Sequence, residues 1–193
     1  MTKSQFYNIF PVPFFSTFLD KSIVNDLEKR VIPKLHLLEN LKGTKGSTQK
    51  TDYFEPNTVM NPLEFTEFFE AIHKNVLEFA EKSQLIVRSN NLKFWVQNYT
   101  AGDYHKRHCH PTHDISGVYY VQANEYAGEI VFDNPNPHIF TTPHLNTEIE
   151  QSKQFFKVKP QKGLLILFPS YLIHQVVSSD NKKCLRTCIA FNY

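Results

Sequence analysis

The sequence predicts an α+β protein, mainly β, with two N-terminal helices buttressing a jelly-roll or barrel core. Three observations predict it. Apolar residues recur at helical spacing only in the first 90 or so positions. From Leu92 onward, short apolar runs alternate with turn residues at hairpin spacing. Aromatics reach 14%, with 17 Phe, which suits a β-rich interior filled by large side chains. At 193 residues the chain reads as one domain, 1–193, in which residues 1–90 are helical and residues 91–193 form the jelly-roll core.

Taken in order, residues 6–15 read as extended, with aromatics around Pro11 and Pro13. A helix follows, opened by Asp20 or Ser22, running through Ile23, Leu27, Val31, Leu35 and Leu38 and kinked at Pro33. After a polar loop, 43–57, a second helix starts with Asn61 as N-cap, Pro62 at the first position and Glu64 in the first turn. Its apolar face is Phe65, Phe68, Phe69, Ile72, Val76, Phe79 and Ala80, a stripe that reads as core. His36 and His73, on these helices, read as surface or boundary residues. Strands are expected at Phe94–Tyr99, Ser116–Ala123, Gly128–Phe132, Gln154–Lys159, Leu164–Phe168, Tyr171–Val177 and Cys184–Phe191. The second and third should pair across Asn124-Glu-Tyr-Ala127, and Asp133-Asn-Pro-Asn-Pro137 should turn the chain into an irregular stretch reaching Glu150.

Composition narrows the partners. A net charge of +2 leaves no electrostatic footprint of a nucleic-acid binder, and the lysines of 42–50 read as a solvated loop. No apolar run approaches the ~20 residues of a membrane span, and the proline-broken start lacks the apolar core of a secretory signal. Three cysteines (Cys109, Cys184, Cys188) without a CxxC suggest neither a disulfide framework nor a Cys-rich zinc site. A cytoplasmic protein is expected, with a homodimer as one option for the Phe-rich surfaces.

Chemistry concentrates in Tyr99-Thr-Ala-Gly102-Asp-Tyr-His105-Lys-Arg-His108-Cys-His110 and, further on, Phe168-Pro-Ser170-Tyr-Leu-Ile-His174, then Arg186. Spacing of two on an extended chain puts the imidazoles of His108 and His110 on one face, where a distant third, His174, could complete a set that leaves coordination positions open. Histidine clusters can also be idle surface patches, and for His105 and His113 that reading is preferred. His174 lies inside an apolar run, so it is either a satisfied core residue or a ligand aimed into a cavity. If Ser178–Lys182 closes a hairpin, His174 and Arg186 sit opposite each other. A guanidinium there is costly unless an anion meets it: a bound carboxylate, or an internal Asp or Glu.

These residues, with Ser116-Gly-Val-Tyr-Tyr120-Val and Phe191-Asn192, resemble the Fe(II)/2-oxoglutarate-dependent oxygenases, in particular a group found in bacteria and phages with prolyl-hydroxylase-type enzymes as relatives. The resemblance covers residues 94–193. It implies a double-stranded β-helix (jelly-roll, cupin-like) with Fe(II) at its mouth, and 2-oxoglutarate and O2 as co-substrates. It further implies oxidation of a small-molecule or peptidyl substrate, by hydroxylation as is typical of these enzymes, with release of succinate and CO2. His108 then matches the first ligand, His174 the distal one and Arg186 the clamp on the co-substrate's far carboxylate. Tyr120 can bond the same carboxylate, and Asn98 and Asn192 are pocket-lining polar groups. Most of the superfamily has His-x-Asp where this chain has His108-x-His110, and Asp114 is a rival third ligand or a hydrogen-bond partner to one. The loops 43–57 and 133–152, with His138 and His144 in the second, are candidates for covering the pocket. Two readings stand beside this one: a cupin-like metalloenzyme that does not use 2-oxoglutarate, and a non-catalytic jelly-roll binding protein.

Overall fold

A computed structural model describes residues 11–41, 43–87, 92–136 and 153–193. The described elements run β1 (Phe15–Phe18), α1 (Lys21–Val31), β2 (Lys50–Thr51), α2 (Thr66–Ser83), β3 (Lys93–Tyr99), β4 (His105–His108), β5 (Ile115–Ala123), β6 (Ile130–Asp133), β7 (Phe155–Val158), β8 (Leu164–Pro169), β9 (His174–Val176) and β10 (Arg186–Asn192). Two antiparallel sheets result. The larger has the order β1-β8-β5-β10-β3-β2 and the smaller β4-β9-β6-β7. They face each other as a jelly roll, and the helices cover the outside of the larger sheet.

The helices follow from their apolar spacing. Ile23, Leu27 and Val31 make one buried stripe on α1. Pro33 lacks the N–H that the next α-turn requires, and the chain tightens there into a 3₁₀ segment, Ile32–Leu38. The second helix departs from expectation. Asn61 does cap, its Oδ1 accepting from Leu63 N–H, but what it caps is a single 3₁₀ turn, Pro62–Glu64. Phe65 breaks the path before α2 begins at Thr66. Phe65 is nevertheless buried, and so are Phe68, Ile72, Val76, Phe79 and Ala80.

Period-two alternation along the strands builds two separate cores. Ile115, Tyr119, Val121, Leu165, Leu167, Ile189 and Phe191 pack on the helices. Val118, Tyr120, Leu164, Ile166, Phe168 and Cys188 point the other way and meet Ile130, Phe132 and Val176 of the smaller sheet. Gly117 faces the helix side, where a Cβ would run into Phe191 and Leu167.

Two expected pairings do not form. β5 is hydrogen-bonded to β10 and β8, whereas β6 pairs with β7 and β9, so 124–129 carries the chain from one sheet to the other instead of closing a hairpin. Likewise β9 pairs with β4 and β6, whereas β10 pairs with β3 and β5. The segment after Val177 is therefore an arch between the sheets. The physical reason is burial. β10 is buried along its whole length and β5 over its first seven residues, so each lies between two strands, which leaves no edge for the sequence-adjacent strand. Of the irregular stretch expected after Asp133, residues 137–150, with His138 and His144, lie outside the described residues, as do residues 6–10 of the expected first extended segment.

Candidate metal centre

The turn from β3 into β4 is set by Gly102 and Asp103. Asp103 Oδ2 accepts from both the N–H and the hydroxyl of Thr100, and Gly102 takes φ +83°, a conformation that costs other residues free energy. Gly102 N–H also donates to the Ser179 carbonyl at 2.8 Å, tying this turn to the arch that follows β9. β4 then runs beside β9, with His105 opposite Val176 and His108 opposite His174. Three steps along β4 thus match two along β9, which is a bulge. The bulge turns His105 and His108 to the same side despite their odd spacing, and their rings stack at 3.9 Å between centroids. His105 is therefore a cavity residue, not an idle surface group. Regular alternation, assumed in reading the sequence, hides it. His113 stays apart, its Nδ1 beside the Thr112 hydroxyl.

His108, His110 and His174 offer ligand nitrogens that all lie within 4.8 Å of one another. Two of their tautomers are dictated by the backbone. His108 Nδ1 lies 2.7 Å from the Lys106 carbonyl and His174 Nδ1 lies 2.9 Å from the Leu172 carbonyl. A carbonyl can only accept, so both rings carry their proton on Nδ1 and keep the Nε2 lone pair for a metal. Phe168 and Phe132 pack against the His174 ring at 4.9 and 5.7 Å and leave it 4% exposed. Burial pushes all three imidazoles below the ordinary histidine range, and their mutual proximity adds to this for His110 and His174. His110 is pushed down to about 4, and His105, by burial and then by His108, to about 3. At neutral pH the rings of His108, His110 and His174 are neutral and need shed no proton to bind a cation. Asp114 is not in this group; its N–H donates to the Tyr193 carbonyl and its own carbonyl accepts from Ser170 N–H.

The same cavity contains Arg186, reached from the opposite sheet. It is 1% exposed, with its guanidinium 4.7 Å from the Tyr99 ring centre and 5.2 Å from that of Tyr120. Nη1 donates to the Gly128 carbonyl at 3.0 Å, whereas Nε and the Tyr120 hydroxyl have no hydrogen-bond partner. Burial pushes the Tyr120 phenol up to about 12, against the pull of Arg186. Trp95, Gln97 and Tyr99 of β3 line the wall between, in a space of about 380 Å³ that includes its open mouth. Among the described residues, no Asp or Glu lines this cavity and no carboxylate pairs with Arg186.

Asn192 borders the cavity, and Asn98 does not. Alternation places Asn98 on the other face of β3, where its Oδ1 accepts from the Thr187 hydroxyl at 2.8 Å. The 43–57 segment is partly strand. β2 adds to the edge of β3, and Gln49, 1% exposed, brings its Nε2 to 3.5 Å from His105 Nδ1, so this segment walls one side of the site.

Fold and site together define a jelly-roll protein in which a cluster of three histidines able to hold a cation shares a cavity with a buried arginine that no described carboxylate meets. Residues 93–192, more than half of the chain, match the family described as "Putative 2OG-Fe(II) oxygenase", and the chain belongs to that family. It is a 2-oxoglutarate/Fe(II)-dependent dioxygenase, and the family implies Fe(II), 2-oxoglutarate and O2 as its cofactors. Solved structures agree on the fold. A prolyl-4-hydroxylase from Pseudomonas putida is 14% identical, with a TM-score of 0.61 over 93% of this chain and 91% of that one. A prolyl hydroxylase from Trichoplax adhaerens, solved with a hypoxia inducible factor peptide fragment, is also 14% identical, with a TM-score of 0.62 over 93% and 83%. Such enzymes have a double-stranded β-helix core, and the chain shares it. No curated protein matches the sequence. No helix among the described residues is long and apolar enough to cross a membrane.

Proposed function

We propose that His108, His110 and His174 hold the Fe(II), that Arg186 and Tyr120 hold the far carboxylate of 2-oxoglutarate, and that the enzyme hydroxylates a small-molecule or peptidyl substrate with release of succinate and CO2. One observation carries this reading: a cavity with a buried arginine and a cation site contains no described carboxylate. Three neutral imidazoles leave the full charge of a divalent metal, and Arg186 adds another. A dianionic co-substrate is the complement such a cavity needs. The residues fit it on two further counts: two ligand histidines are already locked as Nε2 donors, and Arg186 Nε and the Tyr120 hydroxyl are buried without partners.

The protein's own role is positioning and exclusion of water. The backbone carbonyls of Lys106 and Leu172 hold two imidazoles in ligating orientation. Tyr99 and Tyr120 flank the guanidinium and keep it from swinging, so its free N–H groups are aimed before the co-substrate arrives. Phe132 and Phe168 shield His174 from solvent. When bound, iron with 2-oxoglutarate supplies the oxidising chemistry, activating O2 at the expense of the co-substrate's carboxyl group. The peptidyl option draws on the Trichoplax adhaerens relative, whose bound fragment is a peptide.

The test is an anaerobic titration. Fe(II) added to metal-free protein, followed by 2-oxoglutarate, should develop a weak visible charge-transfer band, and His174→Ala should abolish it. Iron binding without a band would remove 2-oxoglutarate from the proposal and favour a cupin-like enzyme. Absence of iron binding would remove the metal assignment altogether.

A further inference from the structure

His110 differs from its two partners in how its ring is held. His108 and His174 are fixed by backbone carbonyls, but the neighbour of His110 Nδ1 is a side chain, the Asn192 amide, whose Nδ2 lies 3.4 Å away. That is too long for a strong bond, and its polarity is wrong for a ligand. An Nδ1 that accepts leaves the proton of a neutral ring on Nε2, where it would block the metal. The amide can be read in either sense, because a half-turn exchanges its oxygen and nitrogen.

The surroundings tolerate that half-turn. Asn192, Ser116 and Ser170 are 3%, 2% and 0% exposed. Ser116 Oγ lies 2.8 Å from Asn192 Oδ1 and 2.7 Å from Ser170 Oγ. Turned round, Asn192 Nδ2 donates to Ser116 Oγ, whose own O–H donates to Ser170 Oγ, so each buried group keeps a partner. Asn192 and Ser116 are cross-strand partners on β10 and β5, which holds this contact in register. The chain ends close to where it began, since the Ser170 carbonyl accepts from His110 N–H at 2.8 Å. Ser170 also stands at the head of the loop that leads to His174.

We propose that Asn192, oriented by Ser116 and Ser170, is the positioning residue for His110: in the metal-loaded protein its Oδ1 accepts the Nδ1 proton and leaves Nε2 free for the cation. This rests on the metal reading above and gives Asn192 a role other than contact with the co-substrate. It differs from mere packing in one respect: the group at 192 must accept a hydrogen bond from His110.

The test compares Co(II) affinity, read from its visible absorption, in the wild type, Asn192→Asp and Asn192→Ala. Aspartate keeps the shape and accepts at both oxygens, so Asn192→Asp should bind Co(II) at least as tightly as the wild type. Asn192→Ala should bind 10- to 100-fold more weakly, the usual cost of removing a group that orients a ligand. Thermal melts of the metal-free proteins separate this from a structural role, which would lower both variants' stability and leave the affinities of the folded proteins alike. If either variant fails to fold, Ser116→Ala substitutes: releasing the far end of the amide should weaken Co(II) several-fold, and unchanged affinity would overturn the proposal. Equal weakening in the Asp and Ala variants would overturn it while leaving the metal site standing. A wild-type protein that binds no Co(II) would overturn both.

Discussion

Tyr119 and Tyr120 are adjacent on β5, both fully buried and both with a hydroxyl that has no hydrogen-bond partner, yet they belong to different regions of the molecule. Tyr119 faces the helices, 5.1 Å from the Phe68 ring, in a core made of apolar side chains. Tyr120 faces the cavity beside Arg186. The difference between the faces of one sheet is a difference of purpose. The helix side buries apolar surface and holds the strands in place. The cavity side collects the polar groups that folding would rather not bury: Arg186, His174, Asn192 and Ser116. An unpaired hydroxyl is a small defect on the first face; on the second it is, in the function proposed above, a contact for the co-substrate.

Substitutions should divide along that line. The largest effect is expected from Arg186→Met. 2-Oxoglutarate binding to the iron-loaded protein should fall by at least about 100-fold, since two or more charge-assisted hydrogen bonds are lost. The melting temperature of the cofactor-free protein should hold or rise, because an uncompensated buried charge is removed. A matching loss of stability would mean that Arg186 belongs to the scaffold. Next comes Ile72→Ala on α2, which should cost about 3 kcal/mol in denaturant unfolding through lost burial and the cavity left behind. Co-substrate affinity of the folded fraction should not move. A change there would show the faces to be coupled.

Tyr120→Phe should weaken 2-oxoglutarate by about tenfold, one hydrogen bond to a charged group, with stability within about 0.5 kcal/mol of the wild type. The smallest effect is expected from its neighbour. Tyr119→Phe removes an unsatisfied buried hydroxyl, so stability should stay level or rise by up to about 1 kcal/mol, and co-substrate affinity should be unchanged. Should the two tyrosines give the same pattern, the hydroxyl of Tyr120 makes no contact with the co-substrate.

Much of the fold was legible because it rests on local periodicity. The stripe Phe68, Ile72, Val76, Phe79 announces a helix face before any contact is known, and all four residues are buried. The strand segments were recognisable by the same logic, apart from β1, which meets the extended segment expected at 6–15 only at Phe15, β2, which has two residues, and β4, whose His-Lys-Arg-His sequence carries no apolar signal. Pairing was less legible. A turn such as Asn124–Ala127 reads the same whether it closes a hairpin or carries the chain to a second sheet.

The site shows the same division. Spacing of two on an extended chain was enough to nominate His108 with His110, and an apolar run around a histidine was enough to nominate His174, since strand alternation is a property of the chain itself. That Arg186 should meet an anion also follows from its apolar setting. Only the tertiary structure decided that His105 joins the cavity, that Asn98 turns away from it and that Asn192 stands beside His110. Each depends on something no local pattern records: a bulge opposite β9, the choice of face when β3 enters the larger sheet, and the register of β10 against β5. Periodicity determines which residues share a face. Which faces meet is decided by long-range burial, as the two sheets close over their common interior.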